Sequence, residues 1–198
     1  MPNGKDSQSR NMSSGEDASG VTGFIVKNSL EISSFIVLLT VLFILSVSSF
    51  LFFHSLAEIF SIVVAGTIFL ITWNSRKILD NNYLQFLGLA YVFIGFIDLV
   101  HLLAYKGMGV WPEFDANLPT QLWIAARYLQ ALTLLIAPLT IKRKVYVRTT
   151  IVAYSSVVIL LLLSIFVLHV FPTCYVEGVG LTSFKINSEY IISAILVV

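Results

Sequence analysis

Long apolar stretches alternate with short polar segments along most of the chain. A helix that crosses a membrane needs about 20 consecutive residues that are mostly apolar. Five stretches meet this length, although the first two run together and require a very tight turn near Phe53 and His54. The predicted spans are Ser34–Phe53, His54–Trp73, Tyr83–Leu103, Thr120–Thr140 and Thr150–Val170.

A sixth apolar stretch, Ser188–Val198, follows the predicted linker Phe171–Asn187 but is only half as long. Its residues would rise about 16 Å as a helix, against about 30 Å for the hydrocarbon core. We therefore expect a fragment of a longer protein, whose missing part begins by completing this helix. The fold class predicted is all-α, a polytopic membrane helical bundle of about six transmembrane helices with the sixth truncated.

Composition supports the membrane assignment. The chain is 57% hydrophobic and only 12% charged, whereas soluble domains carry about 25% charged residues. The net charge of +1 gives no reason to expect a nucleic-acid partner, and a single cysteine, Cys174, excludes an internal disulfide or a cysteine-based metal site. Residues 1–30 are polar and predict a flexible tail, with the membrane-embedded domain at 31–198.

Lysine and arginine in the flanks of the spans predict the orientation, because cytoplasmic flanks carry more of them. With a cytoplasmic N-terminus, the outside linkers hold only Lys106 and Lys185. We therefore expect a multi-pass protein of the inner or plasma membrane whose N-terminus is cytoplasmic. The inside flanks would then hold Lys27, Arg76, Lys77, Lys142, Arg143, Lys144 and Arg148.

Ionisable residues inside the spans concentrate near one face of the membrane. Such residues are costly in a bilayer, so they usually face the bundle interior and mark function. On this topology all of them fall in the outer half, and residues three or four apart share a helix face. The residues are His54, Glu58, Asp98, His101, Arg127 and His169, and Thr120, Trp123, Arg127 and Gln130 form a further stripe.

Three interpretations of this polar constellation remain open. The residues could form a structural network, in which Arg127 pairs Glu58 or Asp98 and Lys106 neutralises the other acid. They could instead line an outward-facing pocket for an unknown small ligand. Alternatively, the histidines could hold a transition metal or haem, although the permanent charge of Arg127 would repel a cation.

If the histidines hold a metal, its ligands would be His54, Glu58 and His101. No nucleophile–base pair, phosphate-binding loop or other catalytic motif is present, so no enzymatic activity is expected of this stretch of chain. The candidate ligand-binding residues are His54, Glu58, Asp98, His101, Tyr105, Lys106, Trp123 and Arg127.

Residues 54–75, 87–110 and 122–139 resemble the MASE3 membrane-associated sensor domain, a domain at the N-terminus of bacterial and archaeal signalling proteins. The resemblance implies a cytoplasmic output module in cis, such as a histidine kinase or diguanylate cyclase, and it supplies no stimulus. The family-typical positions would be His54, Glu58, Trp73, Asn74, Asp98, His101, Tyr105, Lys106, Gly107, Met108, Trp123 and Arg127.

The predicted function is that of a sensory input domain that responds to an extracytoplasmic or membrane-borne small ligand and acts as a homodimer in the lipid bilayer. Two alternatives remain. A haem- or metal-binding redox protein would use the histidines as ligands. A small transporter would need a broken helix at mid-membrane, for which Gly95 and Pro138 are the only candidates.

Overall fold

The structure is a computed structural model, which describes residues 27–78 and 81–197. This part of the chain is helical apart from its linkers and one small hairpin. The elements are α1 (Ser29–Ser48), α2 (Phe50–Ser75), α3 (Asn82–Ala104), α4 (Asn117–Ile136) with a 3-10 turn (Ala137–Thr140), α5 (Val147–Phe166), β1 (Tyr175–Val176), β2 (Gly180–Leu181) and α6 (Ser183–Val197).

Five of these helices are long and apolar enough to cross a membrane, namely α1, α2, α3, α4 with its 3-10 turn, and α5. The prediction of an all-α membrane bundle with five full spans is thereby confirmed. The predicted tail lies largely outside the described residues, which begin at residue 27, and α1 begins at Ser29.

The break between the first two spans differs from the prediction. It lies at Ser49, whose backbone is extended (φ −152°, ψ 90°), and α2 begins directly after it. The Ser49 hydroxyl accepts a hydrogen bond from the Phe52 amide at 3.4 Å, and a serine at this position caps the first turn of a helix. As a consequence, His54 lies one turn inside α2 rather than at its first residue.

The sixth helix begins earlier than predicted, at Ser183 instead of Ser188. The Thr182 hydroxyl accepts from the Lys185 amide at 3.3 Å and so caps the first turn. The preceding linker contains the antiparallel hairpin β1–β2. Gly178 and Gly180 adopt positive φ values of 82° and 103° in its turn, a backbone conformation that glycine adopts without steric cost.

The described residues fall into two compact units, one that ends at Phe53 and one that begins at His54, which are described separately. In the first unit, the few polar residues of α1 are not gathered on one face, and none of its described residues is buried. A helix of this kind has no polar face to turn toward water. It is therefore suited to a lipid environment or to a helical partner.

In the second unit, α3 and α4 form the centre, and α5 and α6 pack against them. Ile97, Leu122, Ala125 and Ala126 are at most 2% exposed. Helix α2 contributes a single buried residue, Ala65. The centre of this unit is therefore the α3–α4 pair, and α2 lies at its edge.

Side-chain hydrogen bonds join the linkers at each end of this unit. At one end, Asn82 Oδ1 accepts from the Val145 amide at 3.1 Å. At the other, Asn117 Oδ1 accepts from the amides of Cys174 and Tyr175 at 2.8 and 3.0 Å. The α2–α3 and α4–α5 linkers thus share one end, and the α3–α4 and α5–α6 linkers share the opposite end, as the alternating spans predicted.

Candidate functional site

Three of the predicted site residues meet where the ends of α2 and α3 adjoin. His54 and Glu58 lie one turn apart on α2, and His101 lies in the last turn of α3. His101 Nε2 is 3.8 Å from Glu58 Oε1, and the imidazoles of His54 and His101 meet edge to face at 5.6 Å. One ligand atom from each residue can be chosen so that all three lie within 4.8 Å of one another. We call these residues the His–Glu–His triad.

The orientation of His101 is set by the start of α4. Its Nδ1 lies 2.8 Å from the backbone carbonyl oxygen of Pro119. A carbonyl oxygen only accepts hydrogen bonds, so Nδ1 carries a proton and donates it. His101 as a whole is 4% exposed, and the second ring nitrogen, Nε2, faces Glu58.

Aromatic stacking positions His54. Its ring lies 4.2 Å from the ring of Tyr105, at an interplanar angle of 35°. Tyr105 follows the last residue of α3 in extended backbone, so its ring covers the end of the helix beside the triad. Nearby, the Ser55 hydroxyl donates to Met108 Sδ at 3.7 Å. Tyr105 therefore lies beside the triad, and its predicted role in ligand binding stays a prediction.

A buried ion pair lies beside the triad, deeper in the bundle. Arg127 Nη2 donates to Asp98 Oδ1 at 2.5 Å, and Nη1 donates to Gln130 Oε1. Asp98 is 4% exposed and lies on the same face of α3 as His101. The expectation that Arg127 pairs one of the two acids is confirmed, and Asp98 is that acid.

A cleft opens beside this ion pair. It has a volume of about 260 Å³, and α2, α3 and α4 each supply part of its wall. The Arg127 side chain is 22% exposed, so the guanidinium is not fully enclosed by its partners. The cleft is lined by Phe60, Ser61, Val64, Ala65, Ile68, Tyr91, Ile94, Asp98, Arg127 and Gln130.

The profile of the MASE3 family, described as a membrane-associated sensor domain, matches residues 45–198. The match covers well over half of the chain and includes every residue of the triad and the ion pair. The chain belongs to the MASE3 family. No curated protein and no solved structure matches it.

Two predicted site residues of this MASE3 domain lie elsewhere. Lys106 Nζ pairs with Glu177 Oε1 at 3.0 Å, and both side chains are largely exposed. The hydrogen bond and charge of Glu177 raise the pKa of Lys106. The expectation that Lys106 neutralises the second acid was therefore wrong, because its loop directs it to the α5–α6 linker, and Glu58 contacts His101 instead.

Trp123 faces α6 rather than the triad. The Lys185 ammonium lies 4.2 Å from the centre of the Trp123 ring, and it also pairs with Glu189 one turn along α6. Lys185 is only 7% exposed. Sequence reasoning placed it in a linker, although the four-residue spacing to Glu189 is the signal that would have indicated a helix.

The α4–α6 contact also contains the only cysteine of the chain. Cys174 is fully buried among Ile124, Ala131 and Ile192. Burial raises the pKa of its thiol to about 11, so it stays protonated at neutral pH. The remaining predicted residue, His169, lies beyond the end of α5 with a positive φ of 50°.

Proposed function

We propose that this MASE3 domain is the sensory input part of a signal-transduction protein. It would sense an extracytoplasmic or membrane-borne small ligand at the polar residues between α2, α3 and α4. Binding would change the packing of these helices, and the change would pass to a cytoplasmic output domain in cis. The observation that carries the proposal is the cluster of His54, Glu58, Asp98, His101 and Arg127, which links three helices of a sensor-family domain.

The weak attachment of α2 supports such a response. Only Ala65 of this helix is buried, whereas two triad residues, His54 and Glu58, lie on it. A ligand shifts a conformational equilibrium only if it binds the two states with different free energy. A ligand held by α2 on one side and α3 on the other satisfies this condition, because its affinity depends on their separation.

Helix α4 provides a route from the cluster to α6. Arg127 contacts α3, and Trp123, one turn earlier, contacts Lys185 of α6. A shift of α4 would therefore reach α6 through the buried ammonium. The residues that continue from α6 would carry the output module, such as a histidine kinase or diguanylate cyclase. Any enzymatic activity would then belong to that module and not to this domain.

The charge difference between the two ends of the bundle supports a cytoplasmic N-terminus. Among the described residues, one end carries Arg76, Lys77 and the basic segment 142–144, and the other carries Lys106 and Lys185. By the positive-inside rule the first end would be cytoplasmic. The triad would then lie about one helical turn below the outer surface, and the domain would reside in the inner or plasma membrane as a homodimer.

The transporter alternative has less support. It calls for a helix broken near mid-membrane, but Gly95 lies within the unbroken α3, and Pro138 lies in the 3-10 turn after α4.

The redox alternative rests on the two histidines of the triad. Glu58 shares the space beside their rings, which favours a single metal ion over the broad plane of a haem.

The test uses the full-length protein in its native membrane, with output activity as the readout. His101→Ala and the paired variant Asp98→Asn/Arg127→Gln should change output several-fold, because each disconnects α3 from a neighbouring helix. The paired variant leaves no unpaired buried charge, so it should still fold. Lys106→Ala is the matched control, since Lys106 lies near the triad in sequence but pairs elsewhere. Normal membrane insertion with unchanged output in both test variants would refute the proposal.

A further inference from the structure

We propose that the His–Glu–His triad binds one divalent transition-metal ion, with Zn²⁺ as the ion that suits it best. Two imidazoles and one carboxylate are a ligand set found in zinc sites that keep a fourth position open for water. That the triad binds the ion is independent of the function proposed above. The further step, that the ion is also the sensed ligand, rests on that function.

The hydrogen bond of His101 is the first argument. A metal-ligating histidine almost always donates its other ring N–H to a carbonyl or carboxylate, which fixes the tautomer. His101 Nδ1 makes this bond to the Pro119 carbonyl. Its Nε2 is buried and has no hydrogen-bond partner in the described part of the chain. That nitrogen therefore offers a lone pair to the triad when the ring is neutral.

The charges around the triad give the second argument. A neutral His101 and an ionised Glu58 would place two lone-pair acceptors 3.8 Å apart, an arrangement that a cation bound to both atoms would stabilise. No lysine or arginine of residues 27–78 and 81–197 forms an ion pair with Glu58. A metal ion would supply the missing positive charge and bind both atoms at once.

Arg127 is the residue that argues most strongly against a cation here, because its guanidinium is always charged. In the structure Arg127 is paired with Asp98 and Gln130. The carboxylate of Asp98 offsets the guanidinium charge, so the pair as a whole is neutral. A cation bound by Glu58 would therefore meet no uncompensated positive charge from the ion pair beside it.

The spacing of the donors links binding to movement. The three candidate ligand atoms lie within 4.8 Å of one another, whereas two ligands of a tetrahedral zinc ion at about 2.0–2.1 Å lie about 3.4 Å apart. Coordination would therefore draw the donors together. Because His54 and Glu58 lie on the loosely packed α2 and His101 on the buried α3, the ion would pull α2 toward α3.

The binding test uses the full-length protein in lipid nanodiscs, with an affinity tag that contains no histidine. Zn²⁺ is titrated by calorimetry and by competition with a chromophoric chelator, and Co²⁺ absorption reports coordination by nitrogen and oxygen. We expect one ion per chain. His101→Ala and Glu58→Gln should each weaken binding by at least about 100-fold, since loss of a ligand exceeds the 10–100-fold effect of a lost outer-shell partner.

The third histidine of the chain provides the matched control. His169 lies outside the triad and has a positive φ, which asparagine tolerates, so His169→Asn should bind Zn²⁺ like the wild type. His101→Gln, which keeps a polar side chain, serves as a second variant if His101→Ala does not fold. Absence of Zn²⁺ binding, or binding that the triad substitutions leave unchanged, would overturn the inference.

Output activity is measured in the same samples with Zn²⁺ and with chelator. Zn²⁺ binding that depends on the triad but leaves output unchanged would support the metal site and overturn its role as stimulus. Output that responds to triad substitutions in a protein that binds no Zn²⁺ would overturn the metal site and leave the sensory function standing. The two proposals can therefore fail separately.

Discussion

The interface between α3 and α4 and the interface between α2 and α3 are built from different kinds of side chain. Between α3 and α4, Ile97, Leu122 and Ala126 are fully buried, and small and branched side chains fill the space. Between α2 and α3, the contacts include the close approach of Gly88 to Thr72, a hydrogen bond from the Thr72 hydroxyl to a backbone carbonyl oxygen of α3, and the ionisable triad. The first interface is a packed core, whereas the second is sparse and carries most of the chemistry.

This difference indicates which part of the bundle responds to a ligand. In a bilayer, helices associate through close packing and interhelical polar contacts, since lipid is as apolar as leucine. The α3–α4 pair has extensive packing and therefore a single favoured arrangement. Helix α2 has little packing of its own, so the contacts made by His54 and Glu58 form a larger share of what holds it. We therefore regard α3–α4 as the fixed part, because the two helices move as one unit, and α2 as the responsive part, which moves relative to them.

The largest expected effect comes from opening the ion pair at the fixed interface. Arg127→Ala would leave Asp98, which is 4% exposed, as an uncompensated charge inside the bundle. Breaking a buried pair on one side typically costs about 3 kcal/mol. We expect a loss of this size in the unfolding free energy, measured by SDS titration in bicelles.

The double variant Asp98→Asn/Arg127→Gln serves as the control for this prediction, because it removes both charges and leaves neutral amides in their place. Its loss of stability should be clearly smaller than that of Arg127→Ala. Equal losses of stability would mean that the pair stabilises the interface between α3 and α4 by its packing and not by its charges.

The sequence alone predicted the spans and most of the polar cluster, because both depend on patterns within single helices. Apolar length predicts a span, and three- or four-residue spacing places Asp98 and His101 on one face. The pairing of Arg127 with an acid follows because charges inside a membrane require partners. These inferences need no knowledge of how the helices are arranged around one another.

Features that depend on loops and backbone atoms were not accessible in this way. The partner of Lys106 is Glu177, 71 residues further along the chain, and no local pattern specifies it. The group that orients His101 is the backbone carbonyl of Pro119, and no side-chain pattern in the sequence identifies it. The hydroxyl groups of Ser49 and Thr182 cap the first turns of α2 and α6, and both helices begin earlier than predicted. A single capping hydroxyl can start a helix within an otherwise apolar or mixed stretch.

A smaller effect is expected from the close approach of α2 to α3. A methyl group added at Gly88 would lie 2.3 Å from the Cβ and Oγ1 of Thr72, so α2 would have to move. Overpacking of this kind costs about 2 kcal/mol. Gly88→Ala should therefore lower the unfolding free energy by about that amount in the same SDS titration.

Gly66 on α2 offers a matched control, since a methyl group there meets nothing within 4 Å. Alanine also favours helix over glycine by about 1 kcal/mol, so Gly66→Ala should be neutral or stabilising. Adding Thr72→Gly to Gly88→Ala should recover part of the loss by removing the clashing Cβ. If Gly88→Ala and Gly66→Ala behave alike, α2 is not held at this point.

The smallest effect should come from the contact between α4 and α6. Lys185→Met keeps the length of the side chain but removes the ammonium that lies 4.2 Å from the Trp123 ring. A partly desolvated cation–π contact contributes about 1 kcal/mol, and Glu189, which is 41% exposed, remains solvated without its partner. We expect a loss of stability near that value in the same SDS titration. Output activity should nevertheless fall, since α6 would lose its polar contact with the helix that carries Arg127. Unchanged output in a Lys185→Met variant that inserts normally would contradict the route from α4 to α6.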